Sequence, residues 1–213
     1  MRRFFAGDFT RCAGKSIALV FQKVAKSTQP ESLRVIMSTS ISVTESLGQA
    51  LKERDESSRA DRVARITWLS SHISEPMAYM GRAETLHLMA EVKSVFVSGN
   101  FAATLLLSLA VIEHCLVEEL QYRELVSGSP TFADALTRAE ACGLLLEGWL
   151  SSLKLLSLRR NSFVHLKDET HQHGLGNRVQ KDKIHPRTLL EGDAKEAISL
   201  MYKVFVATLR EAI

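Results

Sequence analysis

The chain has 213 residues, of which 46% are hydrophobic and 24% charged, and a formal net charge of +3. These proportions are globular and exclude wholesale disorder. With only 4 Pro and 11 Gly, a turn-rich all-β architecture is excluded in favour of helices, and the small basic excess is compatible with nucleic acid without arguing for it alone.

The first 30 residues set Arg2, Arg3, Arg11, Lys15, Lys23 and Lys26 against the single acid Asp8. A start of this kind suits a transit peptide, a nucleic-acid arm, or an upstream extension of a frame that begins at Met37; an irregular or extraneous segment ranks first. Within it, residues 9–16 read F-T-R-C-A-G-K-S and end like a phosphate-binding loop. Phe9 stands where that loop needs Gly for its tight bend, and no strand precedes it, so a nucleoside triphosphatase is rejected. Residues 41–73 read as one or two helices, polar through Lys52, Glu53, Arg54, Asp55 and Glu56, and broken before Pro76. Residues 1–75 are thus expected to be a basic, partly helical extension, and 76–213 a helical domain.

From Gly81 onward the pattern sharpens. A helix is predicted over about 82–97, with Leu86, Met89, Ala90 and Val97 on one side. After Ser98-Gly99-Asn100 comes a second, over about 101–125, apolar nearly all round in its first turns and therefore central. Its apolar run, 101–112, has 12 residues. A bilayer span needs about 20, so a buried helix is expected and no membrane. A third helix is predicted from an N-cap at Thr131, supported by Asp134, to about Ala141. A fourth runs from about Leu145 past the Arg159-Arg160 pair. Residues 167–191 read as a polar stretch, and Asp193 with Glu196 opens a last helix to about Ala212. The fold class is all-α, a four- to five-helix up-and-down bundle.

Cys12, Cys115 and Cys142 are odd in number and widely spaced, which speaks against a disulfide scaffold or a thiolate zinc site and for a reducing, cytoplasmic setting. Cys115 and Cys142 fall in apolar stretches and read as buried thiols. His165, His171, His173 and His185 crowd into 21 residues, but their spacing is loose for a metal centre, and a polar loop is the better reading. Neither a metal nor a cofactor is expected. Trp68 and Trp149 read as core or interface anchors, and His114, Glu118 and Glu119 as facing solvent or a neighbouring helix.

The informative segment is Leu158-Arg159-Arg160-Asn161-Ser162-Phe163-Val164-His165. It puts a guanidinium, a carboxamide and an imidazole within six residues, with Asn161 and His165 four apart on one helical face. Such a trio suits phosphodiester cleavage. Imidazole titrates near neutrality and moves the proton of a ribose 2′-OH or of a leaving 5′ oxygen. Guanidinium is always charged and forks onto phosphate oxygens. C-terminal capping of the helix is the rival reading. Residues 154–187 hold 8 Lys and Arg against 3 Asp and Glu, a local net of +5, which suits a phosphate backbone and names Arg159, Lys167, Arg178, Lys181 and Lys183 as backbone contacts. A solvated loop accounts for the same charge.

R-N-x-x-x-H at the end of a Leu-rich helix, preceded by a helix, a Gly99-Asn100-Phe101 joint and a long Ala/Leu helix carrying Ile112-Glu113, resembles the HEPN superfamily, helical domains found in many prokaryotic ribonucleases and toxins. The resemblance covers about residues 82–213 and leaves 1–75 unmatched. It implies a HEPN-type bundle and a metal-independent endoribonuclease of toxin or defence type. Arg160 and His165 would be the catalytic pair, Asn161 their polar companion and Glu113 a supporting acid. It further implies a homodimer composing one cleft from two motifs, RNA as substrate, and an antitoxin or regulatory protein as a further partner. Because some domains of this superfamily only bind, a non-catalytic helical module for nucleotide, RNA or a partner protein stays open. A structural dimer does too.

The basic N-terminal stretch has no sustained apolar stripe, so little core should go with it. A chain shortened to begin at Met37 is expected to stay soluble and to melt, by circular dichroism, close to the full chain. Insolubility or a much lower melting temperature would make the segment structural.

Overall fold

The computed structural model describes residues 30–72 and 82–209, with side chains from residue 43 onward. The phosphate-loop-like residues 9–16 and the rest of the basic N-terminal stretch lie outside the described residues, as does Pro76. Among the described residues seven helices follow one another: α1 (Pro30–His72), α2 (Ala83–Val97), α3 (Phe101–Tyr122), α4 (Phe132–Ala141), α5 (Glu147–Val164), α6 (Leu175–Asp182) and α7 (Pro186–Ala207). No strand occurs among the described residues, so the all-α expectation is met. The chain divides into two units between Ser57 and Ser58. In the first, the described stretch is helical and exposed from Val43 on, Val43, Leu47 and Leu51 included. The second begins at Ser58 and holds helices α2 to α7.

Its organising element is α3. A run of Ala and Leu without Gly or Pro has high helix propensity, and its apolar side chains point in more than one direction. Leu105, Leu109, Ile112, Leu116 and Leu120 are fully buried. Each such side chain contributes about 1.5–3 kcal/mol by leaving water. Helix α7 packs along α3 most extensively, then α2, with α4 and α5 completing the jacket. Ala194 and Ala197 of α7, both buried, keep its inner face thin enough for close approach, and Ile198, Met201 and Val204 fill what remains. The apolar side chains of α3 up to Leu120 are all buried or half-buried. By length and composition α3 is also long and apolar enough to cross a membrane, with half of the qualifying window buried among its neighbours. Counting an unbroken apolar run missed this, because the hydropathy continues past Glu113 and His114.

The joints explain the order of the elements. At the end of α2 the Gly99 N–H donates to Phe96 O and the Asn100 N–H to Val95 O, both at 2.9 Å. That closure requires a left-handed residue, supplied by Gly99 at φ +79°, and it folds α3 back on α2. Thr131 and Asp134 form the expected reciprocal cap of α4: the Asp134 N–H donates to Thr131 Oγ1 at 3.2 Å and the Thr131 N–H to Asp134 Oδ2 at 3.3 Å.

Two expectations give way. Residues 167–191, read as one polar stretch, contain α6 and the start of α7. Asp193, read as the N-cap of the last helix, lies two turns inside it. The cap is His185, whose Nδ1 accepts from the Arg187 N–H at 3.2 Å, with Pro186 preset at the first helical position. Asp193-x-x-Glu196 imitates a capping box, but its carboxylate is spent on distant guanidiniums. Of residues 41–73, read as one or two helices, 41–72 belong to one helix, α1, which begins at Pro30; residue 73 lies outside the described residues.

Cys115 is buried and Cys142 half-buried, both as free thiols. Burial pushes the Cys115 thiol up to about 11 from 9.0, opposed by a hydrogen bond with Thr208 and helped by the nearby Glu118 charge. A thiol whose folded pKa is raised stays neutral below pH 9, and its share of the stability is lost as pH climbs through about 11. Iodoacetamide at pH 8 is expected to label Cys142 well before Cys115 in the native chain, as read by peptide mass spectrometry. Equal rates would contradict the burial.

Candidate functional site: the end of helix α5

Helix α5 ends in the Arg-Arg-Asn motif, and one buried carboxylate fixes that end. Arg159 Nη1 donates to Asp193 Oδ1 at 2.7 Å. Arg178 of α6 forks onto the same carboxylate, Nη1 to Oδ2 at 2.6 Å and Nη2 to Oδ1 at 2.8 Å. Asp193 is 3% exposed and Arg178 9%. Such bidentate, desolvated contacts are the strong kind. They tie α5, α6 and α7 to one point. Arg159 also approaches Glu196 at 3.9 Å. Both guanidiniums, named from sequence as RNA contacts, are thus engaged with protein carboxylate.

The next residue turns about 100° around the helix and meets another environment. Arg160 Nη1 approaches Glu113 Oε2 of α3 at 3.5 Å, and the two side chains are 25% and 28% exposed. Its Cζ stands 5.9 Å from the Phe132 ring centroid, within cation–π range. At 3.5 Å, with both side chains keeping some access to solvent, the Arg160–Glu113 contact is loose, so the guanidinium is placed without being consumed. The resemblance had set Glu113 beside this motif, and the fold brings the two together. Phe132 was missed: it opens α4 as a core residue, and only packing of α3, α4 and α5 delivers it to Arg160.

His165 lies just past the helix, at φ −123° and ψ 132°. The helical face expected to pair it with Asn161 therefore stops at Val164, although the His165 N–H still donates to Asn161 O at 3.0 Å. Its imidazole is exposed and makes no hydrogen bond among the described residues. Lys167, Lys181 and Lys183 are exposed as well. Lys183 closes α6 in the left-handed region at φ 57°.

Glu113 also borders a cavity of about 350 Å³ whose rim includes Arg82, Glu84, His114 and Glu118. Arg82 bridges Glu118 at 3.6 Å, His114 meets Thr85 at 3.5 Å, and Glu119 is held by Arg123 at 2.6 Å, so these side chains face neighbours as expected. The local sum of +5 overstates the basicity of the motif's surroundings. Folding imports Glu113, Asp193 and Glu196 from outside the counted window.

The histidines disperse. His171 and His173 have ring centroids 5.7 Å apart, and His185 caps α7. Burial lowers the His173 pKa below its ordinary 6.5, with further lowering by His171, Arg159 and Arg178. Among the described residues no three His, Cys, Asp or Glu side chains are grouped to hold a metal ion. No family model, no curated protein and no solved structure matches this chain.

Removing Asp193 leaves two guanidiniums facing each other in a desolvated site. Asp193→Ala is expected to cost about 3–5 kcal/mol, the usual loss when one partner of a buried ion pair is deleted, read from urea midpoints. A loss under about 1 kcal/mol would show that the triad does not anchor α5.

Proposed function

We propose that this chain is a metal-independent endoribonuclease whose reacting groups are Arg160 and His165. The observation that carries the reading is the division of labour at the end of α5. Arg159 is locked inward on Asp193, while Arg160 stays partly exposed with one loose carboxylate partner, and an exposed, unbonded imidazole follows five residues on. A phosphate entering there would exchange with Glu113 as the partner of Arg160, gaining a bidentate fork. The ribose 2′-oxygen then attacks phosphorus and the bond to the 5′ oxygen breaks. Imidazole either takes the 2′ proton or gives one to the departing 5′ oxygen, and guanidinium bears the charge that builds on the non-bridging oxygens. Asn161 accompanies the pair. A homodimer would supply a second His165, allowing one imidazole to act as base and the other as acid. By the HEPN resemblance, such an enzyme would serve as a toxin or defence effector held in check by an antitoxin or regulatory partner.

One observation favours the non-catalytic reading of a helical module, and within it a protein partner over a nucleotide or RNA. Glu84, Glu113 and Glu118 rim the cavity beside Arg160, and like charge repels phosphate.

Cleavage is expected to proceed in EDTA and to leave 2′,3′-cyclic phosphate and 5′-OH ends. His165→Ala is expected to lower the rate about 10²–10⁴-fold. Arg160→Lys should also impair it, because a point charge does not reproduce the fork. DNA and 2′-deoxy scissile positions should resist. Full activity of His165→Ala, or cleavage of DNA, would remove the mechanism in favour of the binding module.

A further inference from the structure

A second group of cations lies at the other end of α3. Arg65 of α1 is 6% exposed, unusual for a charged side chain. Its Nε donates to Val97 O at 2.9 Å, closing the end of α2. The rest of its guanidinium has only a long contact, Nη1 to Asp61 at 3.8 Å, and that carboxylate is 68% exposed. Arg187, on the first turn of α7, shares the Phe101 ring with it: the two Cζ atoms stand 5.2 Å (Arg187) and 5.8 Å (Arg65) from the centroid. Among the described residues no carboxylate lies within ion-pair reach of Arg187. Lys195, a little over two turns along α7, bridges Glu191 at 2.7 Å and lies over Trp68 at 5.7 Å.

Like charges do not gather on one ring without reason, and these side chains line one cavity of about 140 Å³. Gly99 makes the gathering possible. A Cβ there would lie 2.8 Å from Arg187 Nη2, whose flexible side chain would have to shift, and in ordinary contact, 3.5 Å, with the Arg65 guanidinium. The α7 N-terminus adds its partial positive charge nearby. The cavity has room for one tetrahedral oxyanion with a few waters.

We infer that this cavity is a binding site for a single phosphate group, with Arg65 and Arg187 as its main ligands and Lys195 as the third cation. Arg65 is preorganised by Val97 and by burial. Arg187 is oriented by Phe101 and left without a carboxylate, so an incoming oxyanion has no partner to displace there. Asp61 and Glu191 also line the cavity and oppose an anion, Glu191 less so while it is paired with Lys195. The site is separate from the proposed ribonuclease centre. Phe101 and Glu113 are 12 residues apart on α3, a rise of about 18 Å.

The test is calorimetric titration of the full chain with sodium phosphate against sodium chloride of equal ionic strength, with adenosine 5′-monophosphate in a parallel arm. Saturable binding of phosphate beyond chloride is expected. Arg187→Gln should weaken it about tenfold or more, as loss of a charge-assisted contact does. Lys195→Gln should weaken it less, and Lys203→Gln, over Trp149 elsewhere on α7, should leave it unchanged. Tighter binding of the nucleotide would make a ribonucleotide end the source of the phosphate, and equal binding a free ion; both support the site. Melting curves report folding of each variant, and Lys195→Gln decides the matter if Arg187→Gln melts far lower. Heat no greater than with chloride, or unchanged affinity in a folded Arg187→Gln or Lys195→Gln chain, overturns it. Because no RNA is cleaved in this assay, its failure and that of the ribonuclease reading are distinguishable.

Discussion

One buried carboxylate sets the phase of the molecule's most informative helix. Asp193 draws Arg159 and Arg178 out of solvent, and the cost of desolvating three charges is recovered only while all their contacts are made. Rotating α5 by one residue would carry Arg160 into that site and Arg159 out of it. The exposed or buried fate of two identical neighbouring side chains is therefore decided by a partner 34 residues away from one of them. The outer guanidinium, the end of the helix at Val164 and the place of His165 all follow from that choice.

The same geometry explains what could be read from the chain beforehand. Helices whose signals are local were legible: the α4 cap from Thr131 and Asp134, the α2–α3 joint from Gly99, and the centrality of α3 from its unbroken apolar start. The start of α7 was misplaced because an acidic pair three positions apart imitates a cap, and nothing near Asp193 announces Arg159 and Arg178. Helix α6 was hidden because its eight residues are mostly polar and its one buried member, Arg178, reads as solvent-facing until its partner is known.

The candidate site divides similarly. Arg160, Asn161 and His165 were legible because they are close in sequence and of a kind suited to phosphate chemistry. Glu113 was available only through a resemblance, and Phe132 had no signal at all. Charge was the least transferable quantity. A window of sequence counts only its own residues, whereas the field around the motif includes carboxylates brought in by α3 and α7.

Gly99 links two requirements that have nothing to do with each other. The backbone must turn there through a left-handed conformation to close α2, and a Cβ would meet the tip of the Arg187 side chain. The two demands differ in kind. The torsion belongs to the backbone and has no give, whereas the crowding falls on the far end of a flexible side chain. A residue that tolerated the torsion would therefore push Arg187 off its place at the cavity before it disturbed the packing of α2 on α3.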